Sequence, residues 1–277
     1  MTWMNLPQEF VQGKFVVLPI EYEHNVTYGK GASLGSSAII NASKHLEYYD
    51  EQFECEPFEQ GIELLEPLHV TEPEEMVSKV SDTIQQHKNK FIIGLGGDHA
   101  VTIGMVKGME QLHDDFSVII LDAHADFRDS WNNSAFNHAC VSKQVSKKHS
   151  VLMVGVRSMD IDEKKSIDNN NNVHIIKSYD FTLDKLQEIL PKLKQKIYIS
   201  IDVDVFDPSF MRNTGTPEPD GFQWKTSINI LKTIFAQKKV IGCDVVEFAP
   251  QINYDAEAYS LAKLVYKMMA LHSKSNF

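Results

Sequence analysis

Three short segments carry side chains that bind divalent cations: GGDHA with Asp98 and His99, DAHAD with Asp122, His124 and Asp126, and DVD with Asp202 and Asp204. In VIILDAHADF the polar residues fall at i, i+2 and i+4 behind an apolar run, so if strand geometry persists past Leu121 all three project from one side. YISIDVDVFDP repeats the pattern with two carboxylates, and FIIGLGGDHA ends in glycines that permit a close backbone approach. Ligand sites of open α/β sheets lie outside the carboxyl ends of the strands, where all three runs place their polar residues.

Taken singly, each segment has a plainer reading. GLGGDH could be a nucleotide loop, but the third glycine of a dinucleotide fingerprint falls at His99. An isolated His99 reads as a structural histidine, DAHAD as a hydrogen-bonded loop or helix cap, and DVDVFDP as an Asp-rich turn. Together they change meaning, because four carboxylates crowded at one sheet edge repel one another unless cations are bound. Four carboxylates and two imidazoles exceed the needs of one small ion, whereas two ions sharing bridging carboxylates use all six. Mixed oxygen and imidazole donors favour Mn and leave Zn, Fe, Co and Ni open. Two such ions about 3.5 to 4 Å apart would hold and acidify a water, the expected hydrolytic nucleophile.

The elements that must position these groups are visible as short apolar runs: 14–20, 91–95, 118–121, 151–156, 197–201 and 240–246. Runs apolar on both faces read as buried parallel strands. Between them, helical spacing covers 36–49, 74–87, 101–112, 183–193, 227–236 and 257–271. The alternation predicts an α/β fold, a three-layer αβα sandwich on a mostly parallel sheet. Pro73 opens one helix, Thr182 caps another, and Pro191 ends or kinks it. The polar run 168–172 reads as an exposed loop without chemistry, and Met268 and Met269 as core packing. His69, His87 and His149 lack ligand spacing and are expected on the solvated surface.

At 277 residues, with 43% hydrophobic and 23% charged residues and no composition shift, the chain is expected to form one domain over residues 1–277. A net charge of -11 argues against nucleic acid or an anionic membrane as partner and fits a small cationic substrate. Cys55, Cys140 and Cys243 form no CxxC pair, and no leader or membrane span is apparent, so a cytoplasmic location is expected.

At the level of these motifs the sequence resembles the ureohydrolases, the family of arginase, agmatinase and their relatives. GGDHA, DAHAD and SIDVDVFDP match the family's metal-binding signatures, and YGKGASLGSSAI, NHAC, VGVRS, TGTPEPDGF and DVVEFAP extend the likeness over nearly the whole chain. The resemblance implies an arginase-like fold and a homo-oligomer, trimer or hexamer. It implies that His99, Asp122, Asp126 and Asp202 bind one Mn ion, and that Asp122, His124, Asp202 and Asp204 bind the other. Asp98 would be a supporting residue. The implied reaction is attack by metal-bound hydroxide on a guanidinium carbon, releasing urea and a primary amine. Asp126 would carry the proton to the leaving nitrogen, His138 would be the acid/base histidine, and Glu247 would hold the guanidinium bidentately.

The segment FRDSWNNSAFNHACVSK lacks the arginase SGN-x-H arrangement and looks more like agmatinase, so agmatine, cleaved to putrescine and urea, is the expected substrate. Departures from the family pattern at Arg212, Asn213, Asp220 and Tyr259 leave aminopropylagmatine, arginine, guanidinobutyrate and formiminoglutamate as alternatives. From other classes, a single-zinc deacetylase would not require six ligands, and a non-catalytic metal-binding or regulatory relative is expected to have lost ligands or His138.

Overall fold

The computed structural model describes residues 2–251 and 256–275. Its strands are β1 (Phe15–Glu21), β2 (Ile62–Leu64), β3 (Leu68–His69), β4 (Phe91–Leu95), β5 (Ser117–Leu121), β6 (Val151–Val156), β7 (Val173–Lys177), β8 (Lys196–Asp202) and β9 (Lys239–Val246). Its helices are α1 (Gly35–Ser43), α2 (Pro73–Gln86), α3 (Val101–Glu110), α4 (Val141–Ser146), α5 (Ile161–Asp168), α6 (Leu183–Ile189), α7 (Trp224–Gln237) and α8 (Ala256–Lys274). The strands join in the order β2-β1-β4-β9-β8-β5-β6-β7, with β3 also on β1, and all these pairings are parallel.

The apolar runs are continuous because each strand feeds two cores. Phe15, Ile93, Leu121, Val154 and Ile199 pack on one face with α1, α6, α7 and α8. Val16, Ile92, Ile120, Met153 and Tyr198 pack on the other with α2, α3, α4 and α5. This is the expected three-layer sandwich. Met268 and Met269 are fully buried in the first core. Pro73 is the first residue of α2, Thr182 accepts from Lys185 N, and α6 gives way to a 3-10 turn containing Pro191. Among the described residues, no helix is long and apolar enough to cross a membrane.

Several expectations need correction. The helix expected over 36–49 ends at Ser43, whose hydroxyl turns back to Ile40 O and accepts from Met4 N. The chain then runs to Asp50, which forms a buried ion pair with Lys267 of α8. β7, with the polar residues His174 and Lys177, is only partly buried and showed no apolar run. α5, IDEKKSID, is mostly charged and shows no helical apolar period, although Asp160 and Glu163 form a capping box at its start. Asp168 closes α5, so the exposed turn begins one residue later than expected. His149 is buried, stacked on Phe116 and bonded through Nε2 to Glu110, where a solvated histidine was expected.

Candidate active site

Four adjacent central strands deliver the site. Leu95, Val245, Ile201 and Leu121 lie in one row across β4, β9, β8 and β5, and the chain beyond each carries His99, Glu247, Asp202 and Asp122. Order in the sheet thus brings together residues up to 148 positions apart.

The convergence of DAHAD differs from the strand extrapolation. β5 stops at Leu121, His124 makes a separate bridge with Ser158, and Asp126 takes a left-handed backbone with φ 47°. Asp122 is capped by the chain it introduces, accepting at 2.6 Å from His124 N. Glu247 is also left-handed, with φ 64°, and its Oε1 accepts from His99 N at 2.6 Å. Non-glycine residues held this way cost about 1–3 kcal/mol and cluster at functional sites.

The six candidate ligands meet around the two imidazoles. His99 Nδ1 lies 2.9 Å from Asp126 Oδ2, 3.1 Å from Asp122 Oδ2 and 3.4 Å from Asp202 Oδ2. His124 Nδ1 lies 2.8 Å from Asp204 Oδ2 and 3.7 Å from Asp122 Oδ1. Two groups have the spacing to hold an ion, His99–Asp122–Asp126 and Asp122–His124–Asp204, and they share Asp122. Asp202 falls outside both groups; its Oδ1 accepts from Asp204 N at 2.9 Å and shapes that turn. Asp98 belongs to neither group and accepts from His24 N and Ala100 N. Gly97 has to be glycine, because a Cβ there would sit 1.6 Å from Tyr22 O.

The electrostatics of the cluster are those of crowded carboxylates. Burial, followed by the Asp126 and Asp204 charges, pushes Asp122 up to about 7, and burial with Asp204 and Asp122 raises Asp202 well above the carboxylate range. Burial opposes a charged imidazole at both histidines, yet the Asp122 and Asp126 carboxylates raise His99 well above its ordinary value and Asp204 lifts His124 to about 10. Burial alone would raise Asp204 too, but His124 holds it low. Both imidazoles are thus drawn toward the charged form by carboxylates that a divalent cation would otherwise neutralise. Asp122 Oδ2 is buried without a hydrogen bond, since His99 Nδ1 is near it but not aligned to donate. An unsatisfied buried oxygen on the residue shared by both ligand groups, with mixed carboxylate and imidazole donors, fits a pair of divalent cations.

Above the cluster opens a cleft of about 450 Å³. His124, Asp126, His138, Asp202, Asp204 and Glu247 line it, while His99 and Asp122 are buried beneath. Burial, followed by Asp98, pushes Glu247 well above its ordinary range, so its carboxylate favours a cationic neighbour. His138 starts a 3-10 turn capped by Asn137; burial lowers its pKa, and its Nε2 lies 2.9 Å from Thr27 Oγ1.

The sequence reading had not singled out the individual residues that complete this cleft. Thr27 and Tyr28 ride on a loop whose Gly31 and Ser33 amides donate to Glu23. That loop meets the 212–218 segment where Gly29 N donates to Gly215 O. In VGVRS, Arg157 donates to the carbonyls of Asp204, Glu218 and Pro219, tying the DVD turn to TGTPEPDG. In FRDSWNNSAF, Arg128 stacks on Trp131 at 4.5 Å and pairs with Asp160 at 2.6 Å, forming the outer wall. The motifs VGVRS and TGTPEPDGF were the available signal for these contacts. Asp220, standing where the family commonly has Gly, is left-handed with φ 67°; Arg212 N and Asn213 N both donate to Glu257 of α8.

Comparison with known proteins agrees with this geometry. The chain matches the model of the Arginase family over residues 13–271. An N(1)-aminopropylagmatine ureohydrolase of Synechocystis sp. is 34% identical, spanning 96% of this chain and 91% of the relative. An agmatinase of Pyrococcus horikoshii is 28% identical, spanning 98% and 96%. The crystal structure of agmatine ureohydrolase of Thermoplasma volcanium superimposes with a TM-score of 0.86 at 27% identity, covering 96% of this chain and 92% of that one.

Proposed function

The chain belongs to the arginase family, and from that premise we propose that it is a ureohydrolase using two Mn²⁺ ions to cleave an agmatine-type guanidine into urea and an amine. The observation that carries this reading is the pair of ligand groups joined at Asp122 on the floor of a cleft that also presents Glu247. His99, Asp122, Asp126 and Asp202 would hold one ion, and Asp122, His124, Asp202 and Asp204 the other. When bound, the ions supply Lewis acidity and a water acidified to near neutral pH.

The protein's own groups do the rest. Glu247 holds the guanidinium through paired charge-assisted hydrogen bonds, orienting its central carbon toward the cluster. Asp126, on the cleft wall, carries a proton to the departing nitrogen as the tetrahedral intermediate collapses. His138 exchanges protons with solvent, its ring held by Thr27. The reading includes a single-domain, cytoplasmic homo-oligomer, trimer or hexamer; the unpaired cysteines support the location.

Agmatine is the first substrate. N1-aminopropylagmatine is the second reading, favoured by the 34% identical relative that bears its name and by a cleft that extends past the cluster to Arg128 and Asp160. Urea release from agmatine, aminopropylagmatine, arginine and guanidinobutyrate with added Mn²⁺, with formamide release from formiminoglutamate, tests the proposal. Turnover of either of the first two is expected; no urea from any guanidine would sink it.

A further inference from the structure

Beneath the cluster lies a buried chain of polar groups for which the proposed reaction gives no role. His99 Nε2, on the ring edge away from the carboxylates, is 3.1 Å from Ser200 Oγ of β8. Ser200 Oγ donates at 2.6 Å to Asp244 Oδ1 of β9, and Tyr198 OH donates at 2.6 Å to Asp244 Oδ2. Thr102 Oγ1, from the first turn of α3, is 3.0 Å from Ser200 Oγ. His99, Thr102, Ser200 and Asp244 are at most 1% exposed.

The directions of these bonds follow from the inventory of donors. Burial raises the Asp244 pKa and the Ser200 and Tyr198 bonds oppose it; lengths of 2.6 Å suit hydroxyls donating to a carboxylate that accepts only. Ser200 has one hydrogen, and Asp244 takes it. Its oxygen is then left to accept, so both Thr102 and His99 Nε2 must donate to it. A neutral imidazole that keeps its proton on Nε2 presents a bare lone pair at Nδ1, the atom that faces Asp122, Asp126 and Asp202.

We propose that Asp244 and Ser200 are positioning residues that hold His99 in the Nε2–H tautomer and aim Nδ1 at the metal. The inference rests on the metal-site reading above. Among the described residues, the recorded partner of His124 Nε2 is Glu218 Oε1, 3.8 Å away on the cleft side. Asp244→Asn distinguishes orientation from packing, because an amide of the same size can donate to Ser200 Oγ. The serine hydrogen is then free to turn toward Nε2, which favours the tautomer that blocks Nδ1.

The experiment titrates Mn²⁺ into the metal-free full chain by calorimetry, with melting temperatures recorded in parallel. Both Ser200→Ala and Asp244→Asn are expected to weaken the affinity of one ion roughly 10- to 100-fold. Tyr198→Phe removes the other hydroxyl on Asp244 and is expected to lower the melting temperature while binding Mn²⁺ as the wild type does. Asp244→Asn conserves volume and carries the test should Ser200→Ala fail to fold. Wild-type affinity in Asp244→Asn, or an equal loss in Tyr198→Phe, would overturn the relay and leave the metal site standing. Failure of the wild-type chain to take up Mn²⁺ overturns the metal reading and the relay with it.

Discussion

Replacing Glu247 by Gln is the sharpest test of guanidine recognition, because the structure separates its two jobs. Oε1 accepts from His99 N at 2.6 Å, and the side chain lines the cleft floor beside Asp204. Gln retains an acceptor for the His99 amide, so the loop carrying that residue should keep its place. What disappears is the negative charge. Its second polar atom also becomes an amide donor aimed at a guanidinium that has only donors to offer. Hydrogen bonds to charged groups contribute about 1.5–3 kcal/mol each, so losing a bidentate pair removes about 3–6 kcal/mol from the bound guanidinium. At tenfold per 1.36 kcal/mol, kcat/KM should fall about 10²- to 10⁴-fold. Burial and Asp98 raise the pKa of Glu247, so removing its charge should not destabilise the metal-free chain. The assay is steady-state urea release, with Mn content and melting temperature measured on the same preparation. Kinetics within about threefold of wild type, at full metal content, would refute the assignment.

Asp204→Asn should cut bound Mn from two ions to about one and lower activity at least about 100-fold, while keeping the fold, because Asn can still accept from Ala123 N; full activity with full metal content would reject Asp204 as a ligand. Thr27→Val removes the hydroxyl beside His138 Nε2 and should lower kcat/KM about 3- to 10-fold, with a displaced limb in its pH profile; an unchanged rate and profile would show that Thr27 does not hold the ring. His272 stacks on Phe91, and burial pushes its pKa down to about 4, so the folded chain keeps it neutral while the unfolded chain protonates it near 6.5. Its contribution to stability is complete above pH 6.5 and falls away on acidification toward pH 4, with about 2 kcal/mol lost by pH 5. Urea unfolding of His272→Leu should therefore lose about 2 kcal/mol less than wild type between pH 7 and pH 5; parallel losses would mean that the ring is not buried neutral.

What could be read from the chain and what could not divide along the length scale of the interaction. Ile119 and Ile120 are both apolar because the two faces of β5 are both covered, a local fact that any five-residue window contains. Asp122, His124 and Asp126 announce themselves because ionisable residues directly behind such a run have few structural uses. Their shared direction was legible, but the reason inferred for it was wrong: the backbone leaves the sheet at Leu121, and a left-handed turn at Asp126 aims the last carboxylate. No hydrophobic period records a departure of that kind. Ser200 and Asp244 open the segments SIDVDVFDP and DVVEFAP, yet inside β8 and β9 neither residue's type says what it bonds to. Their meaning exists only across strands, in hydrogen bonds joining positions 101 and 44 residues apart. Thr27 is the same case at a separation of 111. Metal ligands are readable because their chemistry is rare. The groups that aim them are serines, threonines and carboxylates of ordinary type, and only the order of the strands says which imidazole each one faces.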